Sequence, residues 1–367
     1  MHINELSIVN YKNIAGAEAV FSPKLNCFIG DNGAGKTNLL DAIYYLSFCK
    51  SFFNPADQLN IRHDEPFFML KGKYRRFESE EDIYCSLQRG AKKLFKRNSK
   101  NYPRLADHIG LLPLVMISPS DSVLIQGGSD ERRKFTDGVI SQYDSGYLSN
   151  LLNYNRALLQ RNSLLKQFYA NGKTDEDALT IWDAQLIGLG RKIHQARREF
   201  IAKLSPVFQQ YYSLISGDTE KVSLLHQSDF YDGEYKTLFE NALSKDLAFQ
   251  YTTVGIHKED LLLNIGDYPI KRLGSQGQKK TYLIALKLAQ FEFLKEVSGI
   301  APILLLDDIF DKLDANRVSA IIKLVSNDHF GQIFITDTNR EHLDGIIRSV
   351  ETDYRIYTVS KGAITIK

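Results

Sequence analysis

Gly30-Asp31-Asn32-Gly33-Ala34-Gly35-Lys36-Thr37 has the spacing GxxxxGK[ST], a pattern suited to holding phosphate. Its glycines let backbone N–H groups turn toward phosphate oxygens, a helix start adds partial positive charge, and Lys36 can reach the terminal phosphates. Thr37 is placed to ligate Mg²⁺ through its hydroxyl, and Asn38 continues the loop into the helix behind it. An ordinary glycine-rich turn can share the spacing. The flanks separate the two readings: an apolar run, Leu25 to Ile29, leads in, and Asn38 to Ile43 has helical periodicity. ATP with Mg²⁺ is the expected ligand, and Lys36 is expected to act on the transferred phosphoryl group.

Ile303-Leu304-Leu305-Leu306-Asp307-Asp308 supplies a second half. A buried strand ending in a carboxylate puts Asp307 beside Mg²⁺, and Asp308 is then placed to orient or deprotonate the attacking water. The alternative is a core strand with a polar exit. Leu273-Gly274-Ser275-Gln276-Gly277-Gln278-Lys279-Lys280 opens another helix, with a hydroxyl, a glycine and glutamine amides at its start. One ATP does not need two such helix ends from a single subunit. The economical reading is a composite site, in which the Lys36 loop of one protomer holds ATP and the Ser275 segment of a second copy covers the γ-phosphate. A polar helix cap is the plainer reading.

These segments lie at opposite ends of a 367-residue chain, so the elements between them must fold back. Residues 3–9, 17–21 and 25–29 read as strands, and about Lys36 to Phe48 as a helix. Residues 66–73, 82–88 and 93–97 read as an antiparallel meander, and 114–117 as a buried strand. From Ser129 to about Leu214 the pattern is helical, with caps expected at Ser129, Asp144 and Asp175. A break is expected at Asn171-Gly172-Lys173, and a kink or stop at Pro206. Strands return at 222–225, 251–255 and 261–265, followed by a helix at 276–297. The remainder alternates strand 302–306, helix 315–326, strand 332–336, helix 340–348 and strand 354–359, which is α/β character. The expected organisation is an α/β ATPase lobe from residues 1–120 and 299–367, with a mostly helical lobe, 121–298, inserted and carrying the Ser275 segment.

Apolar residues at 43% and charged residues at 25% are the balance of a soluble globular protein. Net charge is only +2, so any site for a polyanion must come from local clustering. Cys27, Cys49 and Cys85 have no metal-ligand spacing and, being odd in number, give no disulfide framework. No apolar run approaches a membrane span, and Met1-His2-Ile3-Asn4-Glu5 lacks the basic and apolar regions of a secretion signal. A cytoplasmic protein without a membrane role is expected.

In order and type these motifs resemble the ABC-type P-loop ATPase heads of the SMC group, and within it the RecF family, over nearly the whole chain. GDNGAGKTNLLDAI resembles the phosphate-loop helix of such heads, SQGQKK their signature, and LLLDDIFDKLD their Walker B strand and D-loop. Three segments resemble RecF members in particular: SPSDSVLIQGGSDERRKFTD at 118–137, Tyr154 to Asn162, and Gly255 to Asp260. The resemblance implies a cytoplasmic ATP-dependent DNA-binding protein of recombinational repair. It would form a homodimer on ATP, hydrolyse it weakly with stimulation by DNA, and work with RecO and RecR on gapped DNA coated by single-strand-binding protein, assisting RecA loading. It also implies an SMC-like head without a long coiled coil, and the helical block at 129–215 is too short and interrupted for sustained heptads.

By the same resemblance Asp314 matches the D-loop position that meets the opposite protomer, and Lys12 with Asn13 matches a basic position near the nucleotide. An N-cap and a solvated turn are the simpler readings of these two. Asp308 stands where ABC heads usually carry glutamate, one methylene longer, so slow turnover is expected; Asp337 stands in place of their switch histidine. Arg89 to Arg104 contains seven basic residues and no acid, with Phe95 and Tyr102 among them. Such a stretch can neutralise phosphates and stack bases, which makes Lys92, Lys93, Lys96 and Arg97 candidate contacts for single-stranded, gapped or duplex DNA. A hairpin edge guarded by lysines has the same composition. The rival functions are a transporter's nucleotide-binding subunit, which would lack the RecF-like segments, and a phage-defence ATPase, which usually adds a nuclease domain. His257 is expected to be a satisfied hydrogen-bonder and Trp182 a core residue.

Overall fold

Strand β1 (His2–Tyr11) buries Ile3, Leu6, Ile8 and Tyr11 and pairs antiparallel with β2 (Ile14–Val20). The structure, a computed structural model, describes residues 1–217, 220–230, 234–310, 313–325, 329–338 and 353–366. The helix expected at 340–348 lies outside these residues. After β2 come β3 (Leu25–Ile29), α1 (Lys36–Phe48), β4 (Phe67–Arg76), β5 (Ser79–Gln88), β6 (Leu94–Arg97), β7 (Lys100–Asn101) and β8 (Leu114–Ile117). The middle of the chain forms α2 (Val123–Gln126), α3 (Ser129–Ile140), α4 (Ser145–Asn171), α5 (Glu176–Ser216), β9 (Val222–Gln227), α6 (Tyr235–Phe249), β10 (Asp260–Ile265), β11 (Tyr268–Pro269) and α7 (Ile270–Leu273). Then follow α8 (Gln276–Ser298), β12 (Ile303–Asp307), α9 (Ala315–Val325), β13 (Ile333–Asp337), β14 (Tyr354–Ser360) and β15 (Ala363–Ile366). No helix among the described residues is long and apolar enough to cross a membrane.

The chain folds as two units, one from Met1–Ser122, Val207–Glu220 and Gly274–Lys367, the other from Val123–Pro206 and Lys221–Leu273. In the first unit, an antiparallel sheet runs β2-β1-β4-β5-β6-β7, and a second runs β15-β14-β3-β13-β12-β8. From β14 to β8 the neighbours in the second sheet are parallel. Strands covered on both faces read as continuous apolar runs, and β12 and β13 are buried at every position. Helix α1 touches strands of both sheets and is buried around most of its girth, through Leu39, Leu40, Ala42, Ile43, Tyr45 and Leu46. Phe28 stacks with Phe334 at 6.2 Å, and Phe21 meets Phe334 edge-on at 4.9 Å. The buried amide of Gln332 accepts from Ile3 N and donates to Ile3 O, both at 2.8 Å, and donates to Ser22 O at 2.7 Å. It thereby satisfies backbone groups of β1 from the start of β13.

The second unit gathers its helices with a three-stranded antiparallel sheet, β11-β10-β9. Its buried charges are paired. Arg161 lies 2.5 Å from both Asp183 and Asp246. Arg197 bridges Asp137 at 2.8 Å and Glu259 at 2.7 Å. Glu259 Oε1 also faces His194 Nδ1 at 2.6 Å and Ser228 Oγ at 2.8 Å, and its Oε2 faces His226 Nε2 at 3.2 Å. Burial alone would raise the Glu259 pKa, but the hydrogen bonds from His194 and His226 and the Arg197 charge outweigh it and hold the carboxyl well below the usual range. Arg197, Ser228 and the two histidines thus surround the Glu259 carboxylate, and His194, His226 and Glu259 bring one potential ligand atom each within 4.8 Å of one another.

Several expectations are corrected. Residues 251–255 form no strand: Thr252 N and Oγ1 donate to Asn162 Oδ1 at 2.8 and 2.7 Å, and Thr253 N donates to Asp246 Oδ1 at 2.8 Å. Side-chain acceptors replace the ladder there. Of the kink or stop expected at Pro206, the stop does not occur, since α5 continues to Ser216. Gly128 rather than Ser129 caps α3, whereas Asp144 and Asp175 accept from Tyr147 N and Ala178 N as caps do. The boundary expected at 298/299 is displaced. Helix α8 belongs to the first unit, where its Tyr282 packs on Phe208 at 4.6 Å and on Tyr212 at 6.2 Å. Helix α6 was not anticipated, and Trp182 is half-buried rather than core.

Two buried histidines predict an acid response. His108 faces Tyr102 OH at 3.0 Å and Leu46 O at 2.7 Å; His257 faces Tyr154 OH at 2.9 Å and Thr252 O at 3.0 Å, the satisfied hydrogen-bonder expected. Burial pulls both down to about 4, against an ordinary value of 6.5. Between these values the unfolded chain binds more protons than the folded one, so stability falls as pH drops from 6.5 toward 4 and is fully present above 6.5. Each histidine contributes at most roughly 3 kcal/mol to that slope. The thermal midpoint should fall across this window, and the double variant His108→Asn, His257→Asn should flatten the fall. An unchanged slope would assign the acid response to other groups.

Candidate nucleotide-binding site

After β3 the chain turns through Gly30–Gly35 before α1 begins at Lys36. A Cβ on Gly30 would lie 2.2 Å from Val359 O of β14, so the loop lies flush against that strand. Gly35 has φ 114°, a left-handed conformation that strains any side chain, and a Cβ there would meet Asn13 Oδ1 at 3.1 Å. The loop is braced from outside. Asn13 Nδ2 donates to Gly33 O at 3.1 Å, Asn38 Nδ2 donates to Asn13 Oδ1 at 2.8 Å, and Gly362 N donates to Ala34 O at 2.8 Å. Ala34 N donates to Asp31 O at 3.2 Å within the turn. Lys36 Nζ reaches back to Gly30 O at 2.5 Å and Asp31 O at 3.0 Å. Burial pulls this amine below the ordinary lysine range, opposed by the carboxylates of Asp308, Asp307, Asp337 and Asp31.

Strand β12 carries Asp307 to the same place. Thr37 Oγ1 lies 2.9 and 3.1 Å from the two Asp307 oxygens, and Thr336 Oγ1 donates to Oδ1 at 2.8 Å. Burial raises the Asp307 pKa, and neighbouring Asp308 adds to this. The Thr336 and Thr37 hydroxyls and the Lys36 charge act the other way. Asp308 has φ 49°, and its N donates to Thr336 O at 3.2 Å and Oγ1 at 3.1 Å. A left-handed non-glycine residue directly after a buried strand is the kind of stored strain that gathers at reactive sites. A cavity of about 260 Å³ opens here, lined by residues including Asn32, Gly33, Lys36, Asp307, Asp308 and Thr338. The Thr37 hydroxyl and Asp307 carboxylate, already in contact, are hard oxygen donors that suit Mg²⁺ held together with substrate phosphates. The glycine positions fit phosphate, since side chains there would fill the cradle or clash with its walls.

Sequence reasoning missed Thr336, Thr338, Val359 and Gly362. Thr336 and Thr338 alternate about Asp337 in the strand period, which was the available signal; Asp337 itself is buried and does not line the cavity. Val359 and Gly362 act through backbone and leave no local mark.

The Ser275 segment lies elsewhere in the same unit. Gln278 N donates to Ser275 Oγ at 3.1 Å and Ser275 N donates to Gln278 Oε1 at 2.7 Å, a capping box at the start of α8; Gln278 Nε2 also meets Glu220. Gln276 is exposed, and a Cβ on Gly277 would lie 2.7 Å from Arg317 Nη1. Asp314 accepts from Arg317 N at 3.0 Å, an N-cap for α9. The plainer cap readings therefore hold for both segments, and neither lines the cavity.

Lys12 does not line the cavity: its Nζ lies 2.6 Å from the buried Asp41 carboxylate. Asp41 also accepts from Tyr11 OH at 2.6 Å, Ser51 Oγ at 2.7 Å and Phe52 N at 2.7 Å, so Lys12 braces α1. The 89–104 hairpin is corrected. Lys93 Nζ is held by Asp57 at 2.7 Å and Cys49 O at 2.5 Å, and Arg97 grips Glu81 with both Nε and Nη2. Phe95 is buried, and the Tyr102 hydroxyl faces His108. Of the four candidate cations, only exposed Lys92 and half-buried Lys96, which lies 5.8 Å from the Tyr84 ring, lack a carboxylate partner among the described residues.

Residues 2–365 match the family model described as RecF/RecN/SMC N terminal domain. A DNA replication and repair protein RecF of Phocaeicola vulgatus is 54% identical over 367 residues, covering 100% of this chain and 98% of the relative. Another, of Flavobacterium johnsoniae, is 49% identical over 359 residues, covering 98% of this chain and 100% of the relative. The solved structure of the recombination mediator protein RecF-ATP in the RecFOR pathway aligns with TM-score 0.90 at 31% identity, covering 100% of this chain and 97% of its own. The Smc head domain of Pyrococcus furiosus, at TM-score 0.58 and 15% identity over 100% of this chain and 96% of its own, shares the fold. Whole-length identity at this level, on a phosphate loop joined to a Walker B carboxylate, means that the chain belongs to the RecF family of ABC-type, SMC-like ATPase heads.

Proposed function

We propose that this chain is a cytoplasmic ATP-dependent DNA-binding protein of recombinational repair and replication maintenance, working as a dimer that closes on ATP. The observation that carries the reading is the meeting of Lys36, Thr37 and Asp307 in one cavity to which the chain's own Ser275, Gly277 and Asp314 contribute nothing. A second copy placed head-to-tail supplies them. In this arrangement Lys36 exchanges the Gly30 and Asp31 carbonyls for terminal phosphate oxygens, and backbone N–H groups of the loop and the start of α1 hold the rest. Mg²⁺ would be held by Thr37 and Asp307 and would neutralise phosphate charge. Asp308 orients the attacking water and accepts its proton, with a reach shorter than glutamate's that keeps turnover slow. Ser275, Gln276, Gly277 and Gln278 cover the γ-phosphate across the interface, and Asp314 meets the opposite loop. Closure shapes a DNA groove, and hydrolysis, stimulated by DNA, reopens it. The names of the RecF relatives support replication and repair, and the RecFOR description of the solved one supports RecO and RecR as partners; gapped DNA as the substrate and RecA downstream complete the proposal.

Size-exclusion with light scattering tests the dimer. Wild type should double in mass with ATP but not with ADP or without nucleotide, while Ser275→Arg should bind ATP and remain single. A monomer under every condition would refute the composite site.

A further inference from the structure

With Phe95 and Tyr102 turned inward, the aromatic surface for unpaired bases has to lie elsewhere, and one place in the second unit has the right chemistry. Phe249, the last residue of α6, is 54% exposed and Tyr251 is 43% exposed. Gln250 between them has φ 62°, which turns the chain so that the two rings sit side by side, centroids 5.9 Å apart and planes 32° from parallel. Lys258 Nζ lies 5.0 Å from the Tyr251 centroid, on an exposed side chain with no ion pair among the described residues.

What holds these rings is rigid. Thr252, next to Tyr251, accepts from the buried Arg161 Nη1 at 3.0 Å and donates to Asn162 Oδ1, while its carbonyl faces His257 Nε2 at 3.0 Å. Arg161 is in turn fixed by Asp246 of α6 at 2.5 Å, and Asp246 also takes Thr253 N at 2.8 Å. A loop whose backbone is tied by buried charge at this density does not need two exposed aromatic rings for its own stability. Exposed large apolar side chains grouped on a fixed scaffold mark a contact surface. Among the described residues, the acids that flank this loop in sequence are paired: Asp246 with Arg161, Glu259 with Arg197 at 2.7 Å and Asp260 with Arg132 at 2.7 Å. The exposed charge beside the rings is therefore positive. Flat apolar faces beside an unpaired ammonium match bases joined by phosphates, because every base offers a π-face and every linkage a negative charge.

We propose that Phe249, Tyr251 and Lys258 form a stacking platform for the unpaired bases of single-stranded or gapped DNA, with Lys258 taking a backbone phosphate. This rests on the DNA-binding function above and assigns it a surface. Neither the phosphate loop nor the Ser275 segment takes part, so hydrolysis without DNA should be untouched.

Fluorescence anisotropy with ATP present, on a gapped duplex and on a fully paired duplex of the same length, tests it. For Phe249→Ala, Tyr251→Ala together, affinity for the gapped substrate should fall at least about 10-fold, since each stacked base contributes that order of affinity. Affinity for paired duplex should change less than about twofold, because paired bases offer no face to stack on. Tyr251→Trp should retain gapped binding, and Lys258→Gln should reduce its salt dependence. Equal loss on both substrates, or none on either, overturns the platform while wild-type binding keeps the DNA function intact. Unchanged DNA affinity with lost binding to RecR would give the rings to a protein partner and equally overturn it. If the wild type binds neither substrate, the DNA function itself fails and the platform with it.

Discussion

Lys36→Ala is expected to cut ATP turnover by about 10²- to 10³-fold, the usual loss when one preorganised donor to developing charge is removed. In the structure the amine feels the charges of Asp308 and Asp307, and among the described residues its hydrogen bonds go to Gly30 O and Asp31 O. Removing it therefore costs the fold only about 1 kcal/mol, and the defect should appear in phosphate release with little change in melting. It should also suppress the doubling in mass expected with ATP, since in the proposed dimer the same contact holds the triphosphate between the two copies. A variant that releases phosphate within threefold of wild type would place the chemistry outside this cavity.

The largest expected loss of stability comes from Asp41→Ala, at about 3–5 kcal/mol, the range for removing one member of a buried charge pair. Asp41 is fully buried and gathers Lys12 Nζ, Tyr11 OH, Ser51 Oγ and Phe52 N on one carboxylate. Its loss removes the acceptor shared by the Lys12 ammonium and the two buried hydroxyls of Tyr11 and Ser51. The corresponding fall in thermal midpoint is on the order of 10 °C for a unit of this size. Lys12→Met should cost less, because Asp41 keeps three of its donors. Because α1 begins with Lys36 and Thr37, the Asp41 variant should also bind ATP more weakly at temperatures where it is still folded. A loss below about 1 kcal/mol would show that solvent reaches this cluster.

The parts of the site that could be read from the chain are those built from contiguous residues. The phosphate loop and the apolar strand into Asp307 each combine a local backbone requirement with local chemistry, and each stands where its flanking periodicity placed it, as does the helix that the Ser275 cap opens. What could not be read was pairing between distant residues. Lys93 looked like a free cation until Asp57, 36 positions earlier, filled its coordination, and Arg97 met Glu81 across a hairpin strand. Charge density in a sequence says nothing about which charges are already neutralised. The strand expected at 251–255 failed for a related reason: Asn162 and Asp246 offer side-chain acceptors that the local pattern of threonines could not reveal. Thr336 sits beside Asp337 in β13 and turns its hydroxyl to Asp307, a contact that strand alternation leaves open and only the pairing with β12 settles.

The pairing of β3 has a consequence for how the chain is made. That strand, which carries the phosphate loop, is hydrogen-bonded on one side to β13 and on the other to β14, and Ile3 finds Gln332 across 329 positions. The antiparallel meander uses near neighbours and can form as it leaves the ribosome, but β3 keeps two bare edges until the later strands are synthesised. A nascent chain thus carries β3 with both edges open to mispairing for most of its translation. Only a molecule whose translation has passed β14 can acquire nucleotide, so half-made copies do not compete for it.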